Sequence, residues 1–199
     1  MPKQKLQKQK DSPRKLQTLR GFRDFLPVKT TKKTRAGIFI DDANFFYAQK
    51  IAGWKIDWEK FIDLIKNNVN LKIARYYMEM PSSGNSRIKN IKHQKRLEGF
   101  GYAVVTKLLK KIYINKSKGK FIHKCNFDVE IALDIATFLP QLDLVIILSG
   151  DSDFIAVRNI VLSNQKQIIF MCFEKNMPWE IRISKFILVD KMRKFVELN

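Results

Sequence analysis

Apolar and polar positions alternate in two kinds of block from residue 36 onward. Short apolar runs at 36–41, 71–78, 102–107, 144–149 and 167–173 have the length and the β-branched and aromatic content of buried strands. Between them, apolar residues recur three and four positions apart. The stretch 58–67 places Phe61, Ile62 and Ile65 on one side, and 44–51, 86–98, 128–139 and 152–163 read as further helices. Gly99 is expected to end the helix over 86–98, and Pro140 the helix over 128–139. Pro178 opens a short helix reaching 184, and 186–189 reads as an edge strand. Two segments, 109–115 and 120–124, flank Lys116-Ser117-Lys118-Gly119 and predict a basic hairpin. Strands and helices in alternation imply a mostly parallel α/β sheet covered on both faces.

Two of the predicted strands run straight into carboxylates. Asp41 and Asp42 follow the first, and Ser149-Gly150-Asp151-Ser152-Asp153-Phe154 follows the fourth. In a parallel sheet such ends converge on one edge, where ligands bind. A helix cap accounts for one acid, since Asp151 or Ser152 can accept from the free N–H groups of the following helix. It does not account for two aspartates flanking a serine plus Asp41 at another strand end. Asp128 opens the helix before the fourth strand, where the positive N-terminus favours its ionised form. Clustered carboxylates need a counter-charge. Oxygen ligands without His or Cys select Mg²⁺ or Mn²⁺. On the helix after Asp128, Val129, Ala132, Leu133 and Ala136 form an apolar face that Ile131, Ile135 and Phe138 extend, so little of it is expected to meet solvent. Glu130 and Asp134 fall on the remaining stripe, as solvated edge residues or as ligands.

Charge sharpens this picture. Of 199 residues, 38 are Lys or Arg and 19 are Asp or Glu, a net charge of +19. Such an excess points to a polyanionic partner, nucleic acid ahead of a membrane surface, and no apolar run is long enough to span a bilayer. Residues 1–35 carry twelve Lys and Arg against Asp11 and Asp24, a net of +10, and read as a basic disordered tail. The remaining +9 belongs to a domain over 36–199. Arg87, Lys89, Lys92, Lys95 and Arg96 crowd one helix. Lys107, Lys110, Lys111, Lys116, Lys118, Lys120 and Lys124 follow with no acid among them, interleaved with Tyr113 and Phe121. Lysines hold phosphates and aromatic rings stack on bases, the pattern of single-stranded RNA binding. His93, alone among lysines, is expected at the surface, and Trp54 and Trp58 read as packing residues. Cys125 and Cys172 lack metal-ligand spacing and read as free thiols of a cytoplasmic protein, without a structural zinc site.

The motifs also resemble a family. Asp41-Asp42-Ala43-Asn44 resembles the Asp-Gly-x-Asn opening of NYN domains, the LabA-like branch of PIN-like nucleases. Residues 128–134, Asp-Val-Glu-Ile-Ala-Leu-Asp, resemble their Asp-Val-x-Leu-x-x-Asp helix. The run 149–154 is similar to their most recognisable motif, and Arg75-Tyr76-Tyr77 to their aromatic second strand. The resemblance covers about 36–190 and implies a Rossmann-like three-layer sandwich with a divalent-metal site for RNA cleavage. It maps Asp41, Asp128, Asp151 and Asp153 onto the acidic site, with Asn44, Ser149 and Asp134 in support. Asp42 departs from the family's glycine, and 124–127 lacks the usual Lys-Gly-hydrophobic approach to Asp128. The function implied is a metal-dependent ribonuclease. The alternative is a non-catalytic RNA-binding or regulatory module that keeps a structural metal. A phosphohydrolase of haloacid-dehalogenase type would want Asp-x-Asp after the first strand, and a TOPRIM-like enzyme a Glu there.

Overall fold

The structure, a computed structural model, describes residues 25–115 and 120–199, with the backbone alone for 111–115, 120–124 and Asn176. Strands β1 (Arg35–Asp41), β2 (Asn70–Met80), β3 (Ala103–Leu108), β6 (Leu144–Leu148), β7 (Gln167–Cys172) and β8 (Phe186–Leu188) form one six-stranded sheet in the order β3-β2-β1-β6-β7-β8. Every neighbouring pair in it is parallel. Strands β4 (Lys110–Asn115) and β5 (Lys120–Lys124) form the separate antiparallel hairpin that the sequence predicts.

All-parallel pairing follows from the crossovers. The central strands β1, β6 and β7 are buried on both faces, β6 being five apolar residues with none exposed, while the edge strand β3 is partly open to solvent. On one face lie α1 (Asp42–Ala52), α2 (Trp58–Lys66), α3 (Gly84–Phe100) and α7 (Arg193–Val196), packed on Ile38, Ile40, Tyr76, Ile146 and Leu148. On the other lie α4 (Asp128–Phe138), α5 (Ile155–Ser163) and α6 (Trp179–Arg182), packed on Phe39, Tyr77, Val145 and Ile147. The result is an α/β three-layer sandwich. From β1 the chain progresses outward through β2 to β3, and from β6 outward through β7 to β8. The direction of winding therefore reverses between β1 and β6, and a crevice opens at their carboxyl ends.

Several boundaries differ from the sequence reading. Helix α3 runs through Gly99 and ends at Phe100, with Gly101 in the left-handed conformation (φ +100°) as its cap. That conformation suits glycine, whereas Gly99 is an ordinary helical residue in open space. The helix expected over 152–163 begins with a tighter 3₁₀ turn, Ser152–Phe154, before α5. Helix α7 has no counterpart in the sequence reading. Helix α4 buries Ile131 and Ile135, but Val129 (66% exposed) and Leu133 (62%) face outward, so the expectation of a helix closed to solvent fails. The two apolar stripes share the helix, and only one of them meets the sheet.

Residues 1–24 of the expected tail lie outside the described residues. Val28 is buried in the core, and Phe25 packs edge-on against Phe195, so packing begins ahead of residue 36. Among the described residues, no helix is long and apolar enough to cross a membrane.

Candidate metal centre at the strand ends

Asp41 is the last residue of β1 and the cap of α1: its Oδ1 accepts from the Asn44 backbone N–H at 3.3 Å. Its Oδ2 accepts from the hydroxyl of Ser149, at the end of β6, at 3.1 Å. The Ser149 oxygen in turn accepts from the Asp151 N–H at 3.1 Å, and the Asn44 side-chain oxygen accepts from the Gly150 N–H at 2.9 Å. These bonds tie the turn after β1 to the turn after β6. Ser149 is fully buried, so its hydroxyl must be partnered, and here it is satisfied on both sides.

Asp128, Asp151 and Asp153 come together across this crevice. Each offers a carboxylate oxygen, and the three lie within 4.8 Å of one another. Asp128 comes from the first turn of α4, and Asp151 and Asp153 from the turn between β6 and α5. Asp41 stands beside this group rather than within it, held by Ser149 and Asn44. Burial first, and then the charges of Asp128 and Asp151, hold its carboxyl above the usual carboxylate range, against the pull of its two hydrogen bonds. Asp128 is raised likewise, by burial and by Asp151, Asp153 and Glu130. The hydrogen bond from the Asn126 side chain pulls the other way.

Asp151 also caps the following turn, its Oδ1 accepting from the Asp153 N–H at 2.9 Å. A cap uses one lone pair of an acceptor that has about four, so capping and cation binding are compatible. Asn126, part of the 124–127 departure from the family pattern and not read as a site residue, accepts from the Asp128 N–H at 2.7 Å and donates its side-chain N–H to Asp128 Oδ2. It replaces the expected glycine approach and fixes how Asp128 enters the group. The only sequence sign of it is an Asn two residues before a helix-opening acid.

Asp134 is placed elsewhere. Its Oδ2 accepts from the Tyr77 hydroxyl at 2.7 Å and pairs with Arg75 at 3.0 Å, linking α4 to β2. Glu130 pairs with Lys107, which holds its carboxyl below the usual range. With Arg75 and Lys107 engaged in this way, no Lys or Arg among the described residues forms an ion pair with Asp128, Asp151 or Asp153. Three hard oxygen donors with no counter-charge among the described side chains, in a chain of net +19, fit a divalent cation of the Mg²⁺ or Mn²⁺ kind.

The basic residues divide. Lys92 and Lys95 project from the exposed side of α3. Arg87 is half-buried and donates to the Pro81 carbonyl at 2.9 Å, which anchors the start of the helix. Lys111, Lys120 and Lys124 occupy strand positions of the hairpin, and Lys116 and Lys118 lie outside the described residues. His93 is not the surface residue expected. Its ring is half-buried edge-on against Tyr76 at 6.0 Å, and burial and Arg96 lower its pKa. Trp54 and Trp58 are buried packing residues, as read. Cys125 and Cys172 are free thiols.

Comparison with known proteins gives three findings. Residues 35–190 match the NYN domain family. The chain is similar to low amplitude and bright protein LabA of Synechococcus elongatus, at 26% identity over 172 residues, covering 83% of this chain and 89% of the relative. It is similar in fold to the crystal structure of a protein of unknown function from Vibrio parahaemolyticus, with a TM-score of 0.64 and 21% identity over 85% of this chain and 99% of that one.

Proposed function

The chain belongs to the NYN domain family, and from that footing we propose that it is a divalent-metal-dependent ribonuclease that hydrolyses the phosphodiester backbone of single-stranded RNA. One observation carries the reading: Asp128, Asp151 and Asp153 gather at the β1–β6 crevice with no cation of the described residues among them. Asp128, Asp151 and Asp153 would hold Mg²⁺ or Mn²⁺, with Asp41 beside them. The ion would supply counter-charge to the phosphate and lower the pKa of a bound water.

The chain's own residues do the rest. Ser149 and Asn44 hold Asp41 and the 149–151 turn in fixed relation, so the carboxylates need not reorganise when substrate arrives. Asn126 orients Asp128. Lys92, Lys95 and the hairpin lysines Lys111, Lys116, Lys118, Lys120 and Lys124 supply phosphate contacts that confer affinity without sequence choice.

The test is cleavage of a labelled single-stranded RNA with Mn²⁺ or Mg²⁺, with chelator and Asp151→Asn as controls. Metal-dependent products that both controls abolish support the nuclease. RNA that is bound but never cut under either ion overturns it and leaves a non-catalytic RNA-binding module.

A further inference from the structure

A well-formed cavity lies away from the carboxylate group. It lies on the α1–α3 face of the sheet, just past the Asp41–Asp42 step, and has a volume of about 790 Å³. That is within the usual range for small-molecule sites, roughly 300–1,000 Å³. Its inner wall is aromatic, built from Trp58 and Tyr76, which are 7% and 1% exposed. Phe46 and Tyr47 stand at its mouth with their rings 48% and 62% exposed.

Asp42 reaches into this cavity. Its Oδ1 accepts from the Tyr76 hydroxyl at 2.5 Å. Among the described residues its Oδ2 has no hydrogen-bond partner, and no Lys or Arg pairs with it. A carboxylate oxygen only accepts, so an occupant must bring an N–H or O–H donor to the inner end. The half-buried His93 adds a second polar group on the α3 side. Lys50, Lys55, Lys89 and Arg96 line the same space as cations, Lys50 lying 4.3 Å over the Phe46 ring, and outnumber the acids Asp42, Asp57 and Glu79, of which Asp57 is engaged as the cap of α2. The chemistry asked of an occupant is therefore a flat body for the rings, a donor for Asp42 and a negative charge for the cations. A fatty acid lacks the donor.

We propose that this cavity is a nucleobase pocket. It takes an amino-bearing base (adenine, guanine or cytosine) from the RNA strand whose phosphate lies at the carboxylates, and Asp42 Oδ2 accepts from the amino group. The RNA source rests on the ribonuclease reading; the base chemistry does not. Consecutive residues serve the two sites. Asp41 faces the crevice and Asp42 the cavity, with backbone positions about 3.8 Å apart. Carboxylates are established acceptors from base amino groups, and one good base contact is worth about tenfold or more in discrimination. Uracil offers only its ring N3–H, flanked by two carbonyl oxygens that a carboxylate repels, and is the disfavoured base.

The test uses the full chain without metal and follows tryptophan fluorescence while titrating the four ribonucleoside 5′-monophosphates. AMP, GMP and CMP are expected to bind about tenfold more tightly than UMP. Asp42→Asn should erase that preference, because the amide presents a donor as well as an acceptor. Tyr47→Ala, at an exposed position that leaves the fold intact, should weaken all nucleotides about tenfold through lost stacking. A single-stranded RNA tetramer should compete for the same signal. Equal affinity for all four nucleotides, no binding, or no effect of Asp42→Asn and Tyr47→Ala overturns the pocket. Failure of the tetramer to compete overturns its assignment to RNA. RNA cleavage without nucleotide binding removes the pocket and keeps the nuclease; nucleotide binding without cleavage does the reverse.

Discussion

Ser149 donates its hydroxyl to Asp41 across 3.1 Å, joining the ends of the two central strands of the sheet through one buried side chain. The same oxygen holds the Asp151 N–H, so a single hydroxyl sets the relation between two acids that are 110 positions apart in the chain. Ser149→Ala should lower stability by about 1–3 kcal/mol, since it leaves the Asp151 N–H and an Asp41 oxygen without their partner. Cleavage should fall about 10- to 100-fold, as for other residues that orient ligands. Denaturant melts and RNA cleavage rates check the two effects separately.

Divalent ions should stabilise the fold. Mn²⁺ at about 100 times its dissociation constant adds about 2.7 kcal/mol. For a chain of this size, that is a rise in Tm of about 5–10 °C. Asp151→Asn should abolish most of the rise. In chelator, the same substitution should leave Tm unchanged or raise it, because it removes one of three mutually repelling charges. Thermal melts with and without ion measure both arms.

Asp134 behaves as a structural anchor in this geometry. Tyr77→Phe should cost about 1 kcal/mol and Asp134→Asn more, since the latter leaves Arg75 without its partner. Both substitutions should leave Mn²⁺ affinity within about twofold of the parent, because neither residue touches the three clustered carboxylates. Calorimetric Mn²⁺ titration of the two variants decides it. A large loss of affinity would return Asp134 to the metal site.

The partly exposed Arg35–Asp143 pair contributes to acid sensitivity. Arg35 donates two hydrogen bonds from its side chain and one from its backbone to Asp143, holding that carboxyl down at about 2. A depressed carboxyl stabilises the folded state above its unfolded pKa of about 4, and the benefit is lost as pH falls toward 2. Asp143→Asn should therefore lower Tm at neutral pH, and the gap from the parent should close between about pH 4 and pH 2. A gap independent of pH would mean that the pair acts by packing alone.

Gly37 sits in the middle of β1, where an added Cβ would lie 2.7 Å from Leu142 Cδ1 and 3.0 Å from the Phe39 ring. Both neighbours are buried, so relief requires repacking of the core. Gly37→Ala should cost about 1–3 kcal/mol in a denaturant melt.

Much of this was legible in the sequence, and for definite reasons. The buried runs of β1 and β6 are too apolar to be anything but central strands, and their alternation with helices left little choice of topology. The acids after them had to share an edge. What escaped was set by side-chain contact rather than by pattern. Helix α4 carries two apolar stripes, and nothing in its spacing says that Ile131 and Ile135 meet the sheet while Val129 and Leu133 do not. Asp134 was ambiguous for the same reason, because its partners Arg75 and Tyr77 lie 59 and 57 residues away. Asn126 and Asp42 looked like departures from a family pattern, and their partners Asp128 and Tyr76 became visible only in three dimensions. Gly99 and Gly101 are two residues apart, and only the backbone angle distinguishes cap from bystander.

The bond from Ser149 to Asp41 spans 108 residues of sequence, and the strand pairing that supports it, β1 with β6, is as distant. Contacts of that range form slowly, because loop-closure entropy is lost before any pairing compensates for it. On a ribosome, β1 emerges long before β6 and has only β2 to pair with in the meantime. The carboxylate group therefore takes shape only when the second half of the sheet has been made and docked. Whatever cation affinity the three carboxylates have is therefore absent from any nascent chain that stops short of β6 and the turn carrying Asp151 and Asp153.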